Sequence, residues 1–164
     1  MANTPKISTN LWYDKEAREA AQFYVSTFKS SRITSETTLE NTPSGAMDLL
    51  SIDLAGHEFT LMSAGPVFKI NPSISFFVEC ASKDEVDALW NKLSDGGTAL
   101  MELGEYPFSE RYVWVQDRYG VSWQVMYVGD RKIEQVITPS LLFVGAQYGN
   151  VDAGRKTYGH RFLA

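Results

Sequence analysis

Two hydrophobic rhythms alternate along this chain. From Lys6 to Tyr13 the period is two: Ile7, Thr9, Leu11 and Tyr13 fall on one face and Ser8, Asn10 and Trp12 on the other, as in a strand. Asp14 then offers an N-cap with Glu16 in the positively polarised first turn. Ala17, Ala20, Ala21, Tyr24 and Phe28 form one apolar helical stripe. Strands are predicted over 34–39, 47–54 and 58–63, with a turn at 41–45 and a tight reversal at Ala55 and Gly56. The first half is therefore β-α-β-β-β.

The order then recurs. Residues 73–80 read as a strand, and Ser82 with Glu85 forms a capping box that starts a helix. Val86, Leu89, Trp90 and Leu93 make its stripe, and Gly96 with Gly97 stops it. Strands follow at 98–103, 111–116 and 121–128, the last two joined by a turn at 117–120. The segment 135–144 resembles the opening strand, with Ile137, Leu141 and Phe143 standing where Ile7, Leu11 and Tyr13 stood. Tyr158 and Phe162 are spaced like Tyr24 and Phe28. Residues 1–130 are thus expected to form a doubled unit, and 131–164 a strand-helix extension that resembles the start of a further module. An ordinary C-terminal strand and helix is the alternative. Such a pair cannot bury its apolar faces alone, so it packs on the main body or on a second chain, and exchange of such elements makes homodimers.

Composition narrows the function classes. The 164 residues include 44% hydrophobic ones, enough for a real core. Fifteen Lys and Arg stand against 20 Asp and Glu, a net charge of −5, which argues against a nucleic-acid partner. One cysteine, Cys80, excludes an intramolecular disulfide and is expected to be a buried, inert thiol; two histidines, His57 and His160, starve any His-rich metal site. His57 reads as a turn or surface histidine. No apolar run is long enough to span a membrane and no apolar signal core opens the chain, so a cytoplasmic protein without a membrane partner is expected.

Several segments carry a family resemblance. Leu-Trp-Tyr-Asp at 11–14, Glu-Ala-Ala-Gln-Phe-Tyr at 19–24, Gly-Pro-Val-Phe-Lys-Ile-Asn-Pro-Ser-Ile-Ser-Phe at 65–76 and Val-Gln-Asp-Arg-Tyr-Gly-Val-Ser-Trp-Gln at 115–124 resemble the PhnB-like branch of the vicinal oxygen chelate superfamily, the glyoxalase and bleomycin-resistance proteins. The resemblance implies an α+β fold, with paired βαβββ modules forming a curved mixed sheet around a cup, and a dimer. Some relatives carry tandem copies of the unit. The branch also bears the label 3-demethylubiquinone-9 3-methyltransferase, yet no Gly-rich loop joins a strand to a helix here, as a nucleotide-like cofactor on a doubly wound sheet requires.

In metal-using members, four inward side chains, mostly His and Glu, hold one divalent ion. Alternation maps those positions here to Ser8, Leu61 or Ser63, Ser73 and Gln124. Neutral hydroxyls and one amide are poor ligands for such an ion, so no metal and no cofactor is expected. The cup would be lined by Asn10, Trp12, Ser75, Phe77, Trp114, Ser122 and Gln124, a set suited to a small, largely apolar organic molecule. Filled packing of the interior is the bland alternative. Glu102, Glu105, Glu110, Arg111, Asp117 and Arg118 read as a charged rim. Competing functions are a metal-dependent lyase, isomerase or dioxygenase, the methyltransferase of the label, and an oligomerising scaffold.

Overall fold

The computed structural model describes residues 8–43 and 45–143. Its elements run β1 (Thr9–Tyr13), α1 (Ala17–Thr27), β2 (Arg32–Thr42), β3 (Gly45–Leu54), β4 (His57–Ser63), β5 (Ile74–Cys80), α2 (Lys83–Leu93), β6 (Thr98–Tyr106), β7 (Ser109–Gln116), β8 (Ser122–Tyr127) and β9 (Ile137–Leu141). The order β-α-β-β-β occurs twice, as the sequence predicts. Each copy makes its own curved mixed sheet, ordered β1-β4-β3-β2 in the first module and β5-β8-β7-β6 in the second, where β9 adds to the free edge of β5. The parallel pairs β1–β4 and β5–β8 are equivalent. This is the expected α+β architecture.

Period-two alternation decides which face each side chain takes. Leu11 and Tyr13 on β1, Phe59 and Leu61 on β4, and Leu50, Ile52 and Leu54 on β3 are buried beneath α1. In the second sheet Phe76 and Val78, Val113 and Val115, and Trp123 and Val125 face α2 and the shared core. The helix stripe is the predicted one, since Ala17, Ala20, Ala21 and Tyr24 are fully buried. The hairpin joining β3 to β4 turns at Ala55 and Gly56, both at positive φ, which suits the right-handed strand twist.

The two helices start differently. Ser82 Oγ accepts from Glu85 N at 3.2 Å, and the Glu85 carboxylate accepts from Ala81 N at 3.0 Å, so the predicted box forms. Asp14, in contrast, does not cap α1. The helix begins at Ala17 after a Glu16 whose side chain makes no cap bond, and Ala17 N donates instead to Ser63 Oγ on β4 at 3.1 Å. A neighbouring strand supplies the acceptor that the local sequence was expected to supply. Beyond α2, Gly97 is required by space: a Cβ there would lie 2.5 Å from Gln116 O.

The modules share one core. Tyr24 of α1 and Phe28 just after it pack on Trp123 of β8 with ring centroids 5.4 and 4.8 Å away, and Phe59 of β4 meets Phe76 of β5 at 5.0 Å. Asp117 sits at this junction. Both of its oxygens are used: Oδ1 accepts from Tyr119 N and Val121 N, and Oδ2 accepts from Trp123 Nε1 at 2.7 Å. Burial raises its pKa, while the bonds from Trp123 and Tyr24 pull it back down. Asp117 is thus a buried turn staple and not part of a charged rim. Three others of that group are tied down: Arg111 to Asp87, Arg118 to Asp95 and Glu110 to Lys83.

β9 lies antiparallel to β5, with Ile137 opposite Val78 and Pro139 opposite Phe76. It differs from β1, which lies parallel to β4, its one partner strand among the described residues. Ile137 is fully buried in the common core. Tyr158, His160 and Phe162, on which the predicted extension helix rests, lie outside the described residues, as do Lys6 and Ile7.

Candidate functional site

The face of the second sheet turned away from α2 carries five of the expected lining residues. Tyr112 Oη donates to Gln124 Oε1 at 2.6 Å, and Gln124 Nε2 donates to Ser75 Oγ at 2.7 Å. Trp114 Nε1 donates to Ser122 Oγ at 2.7 Å. Phe77 lies beside Gln124 in the parallel register, half-buried. Each polar group here is satisfied by a neighbour on the adjacent strand. Burial pushes the Tyr112 phenol above its ordinary range, so it stays a neutral donor.

Asn10 and Trp12 go elsewhere. They sit on β1, whose outer edge meets a cavity of about 640 Å³ at the seam between the sheets. The cavity is walled by β1 on one side, by Ile74, Phe76, Pro139 and Leu141 of β5 and β9 on the other, and by the 68–71 segment across the end. Trp12 is fixed twice: its Nε1 donates to Gly65 O at 2.7 Å, and Phe68 meets its ring edge-on at 5.0 Å. The seven expected residues therefore fall into two groups, five on the second sheet and two in the seam.

His57 belongs to the seam as well. It opens β4, half-buried, with Nε2 3.0 Å from Thr9 Oγ1 and the Phe59 ring 4.8 Å away. Gln135, just before β9, holds its amide nitrogen 3.5 Å from His57 Nδ1 and donates to Ile137 O at 2.7 Å. Burial lowers the imidazole pKa, against weaker opposition from Asp53 and Glu58, so a neutral ring with one donor and one acceptor lines the cavity. The sequence reads this histidine as a turn or surface residue; it does follow the Ala55-Gly56 turn, but its ring is half-buried. The signal that places it inward is alternation: His57 shares its face with Phe59 and Leu61.

The donor set does not suit a divalent ion. Leu61 and Ser63 face the core side, which leaves Thr60 and Met62 as the outward pair on β4. Ser73 precedes β5 and gives its hydroxyl to Asn71 Oδ1 at 2.6 Å. Gln124 is engaged at both ends of its amide. All of these groups are neutral, and among the described residues no cluster of three His, Cys, Asp or Glu could hold a metal ion. Cys80 is buried and its thiol pKa is pushed up to about 12 by burial, so it is inert at neutral pH, as expected.

Comparison with known proteins fixes the kinship. The family model described as 3-demethylubiquinone-9 3-methyltransferase matches residues 5–126. The chain belongs to this PhnB-like family of the vicinal oxygen chelate superfamily. The PhnB protein of Bacillus cereus is 37% identical over 75% of this chain and 99% of its own, with a TM-score of 0.70. A solved protein of Pseudomonas aeruginosa is 26% identical over 76% of this chain and 98% of its own, TM-score 0.60. The genomically encoded fosfomycin resistance protein of Listeria monocytogenes shares the fold at 12% identity, covering 73% of this chain and 90% of its own, TM-score 0.55. No curated protein matches. The family match ends before β9, so the wall that β9 gives the cavity lies beyond the matched region. Among the described residues no helix is long and apolar enough to cross a membrane.

Proposed function

We propose that this protein binds a small, largely apolar organic molecule without a metal ion, and that the seam cavity is where it does so. The carrying observation is the cavity itself. Its volume of about 640 Å³ suits a small ligand, and its walls pair aromatic and aliphatic side chains with a few uncharged polar groups from Asn10, His57, Asn71 and Thr138. Asn10 and Trp12, expected from the sequence to touch ligand, line it. The polar face around Gln124 supports a positioning role, since its hydrogen bonds are already made within the protein. A homodimer in the cytoplasm is the expected setting, and light scattering in solution measures the oligomeric state.

Methyl transfer is the less favoured reading. Among the described residues no glycine-rich loop opens a helix from a parallel sheet, and both helices sit on mixed sheets. The test uses N-phenyl-1-naphthylamine, an uncharged aromatic dye. Stoichiometric binding is expected, unchanged by EDTA and strongly weakened in Asn10→Trp, whose new ring fills the seam from an exposed position. Binding that disappears with EDTA would overturn the metal-free reading, and binding indifferent to Asn10→Trp would overturn the site. A thermal shift with S-adenosylmethionine would revive the methyltransferase.

A further inference from the structure

The charge pattern of the seam cavity narrows its ligand, and this step rests on the binding role just proposed. The protein is acidic overall, with 20 Asp and Glu against 15 Lys and Arg. Yet among the described residues no Asp or Glu lines the seam cavity, and Lys69 is the one charged lining residue. Another concavity, beside the start of α1, has Asp14, Asp48 and Lys15 in its wall. Lys69 is exposed, and among the described residues it joins none of the salt bridges, whereas Lys29 and Lys83 are paired with Glu85 and Glu110. Its neighbours Val67 and Phe68 leave large apolar surface in water, 70% and 64% exposed, so an apolar lip adjoins the cation.

We propose that the cavity selects organic anions, molecules with a flat apolar body and one acidic group, the body held between Trp12, Phe68, Ile74 and Leu141 and the acid directed to Lys69. Among the described residues, an anion entering here meets no carboxylate in the lining itself, Asp53 and Glu58 acting only from behind His57, and finds in Lys69 a cation outside every salt bridge. A cationic ligand meets the reverse. Neutral His57 and the asparagine and glutamine amides solvate polar atoms of the ligand without choosing its charge. Because Lys69 stands in water, its contribution is modest and sensitive to salt.

Two dyes with one ring framework test this on the full chain: uncharged N-phenyl-1-naphthylamine and its sulfonate, 8-anilino-1-naphthalenesulfonate. Each is titrated by fluorescence into wild type, Lys69→Gln, Lys69→Glu and Asn10→Trp, with thermal melts confirming that the variants fold. At low salt the sulfonate is expected to bind more tightly than the neutral dye. Lys69→Gln should weaken the sulfonate about threefold and Lys69→Glu about tenfold, with the neutral dye unmoved. Asn10→Trp should weaken both. If both dyes lose binding in Asn10→Trp but the sulfonate ignores the Lys69 variants, charge selection is wrong while the cavity stands. If neither dye responds to Asn10→Trp, the dyes bind elsewhere and the underlying site assignment falls with the proposal.

Discussion

The two βαβββ modules are built on one strand order but end at different edges. In the second, the outer edge of β5 is taken by β9, so that sheet has five strands and its edge is hydrogen-bonded. In the first, the same edge belongs to β1 and faces the seam cavity. An open edge strand exposes backbone donors and acceptors, and proteins either cover it or use it. Here one copy is covered by a segment from the chain's own C-terminal side, and that segment becomes the far wall of the cavity beside the other copy, whose edge pairs with no further strand among the described residues. The helices differ in the same spirit: α2 carries its own capping box, while α1 borrows Ser63 from β4. Duplicated topology thus does not produce duplicated sites, and function follows what surrounds each copy.

The strongest way to break this comparison is to ask whether the modules are separate at all. Trp123 is fully buried where Tyr24 and Phe28 of the first module pack on the second. Trp123→Ala is expected to cost about 4 kcal/mol, read as one cooperative urea transition shifted to lower denaturant. Two resolved transitions would show that the modules unfold independently.

Next in size is the covering strand. Ile137→Ala removes a fully buried side chain of β9 and is expected to cost about 3 kcal/mol. A loss below about 0.5 kcal/mol, the level of an ordinary surface change, would mean that β9 is a loose appendage and that the two edges are equivalent after all.

The helix starts sharpen the contrast further. Ser82→Ala and Ser63→Ala should each cost about 1 kcal/mol, the usual worth of a helix N-cap acceptor, measured by thermal unfolding. A neutral Ser63→Ala would show that α1 does not depend on its borrowed cap.

The smallest effect is the pH response of the seam. His57 has its pKa lowered by burial against Thr9, Phe59 and the Gln135 side, with Asp53 and Glu58 opposing. The folded ring binds a proton less readily than the unfolded one. Its contribution is therefore complete above the unfolded value of 6.5 and is lost as pH falls through the lower folded value. Melting temperatures followed from pH 8 to 5 should decline less steeply in His57→Gln than in wild type. An identical slope would place His57 in water in both states.

Some of the site was legible from the residues and some was not. Alternation sorted Asn10 and Trp12 from Leu11 and Tyr13, and Ser122 and Gln124 from Trp123 and Val125, because the two faces of a strand follow directly from position. The same rule left 60–63 undecided, since Leu61 and Met62 are both apolar; pairing with β1 settles it. Asp117 read as rim because it is charged and sits in a turn, but a carboxylate with three donors around it can be buried at the junction of two modules. The Phe68 segment falls between the predicted strands, and only its fold across Trp12 makes it a wall.

By itself the residue order determined the duplicated β-α-β-β-β plan, the inward stripes of both helices, the capping box at Ser82 and the uncharged residues at the mapped ligand positions. Each of these depends on spacing within a few residues, where backbone geometry dictates direction. Which edge β9 would take, that Ser63 would cap α1, and that β1, the 68–71 segment and β9 would enclose one cavity were decided by tertiary structure. Those outcomes join residues some 50 to 130 positions apart, and such contacts follow from the packing of the whole core.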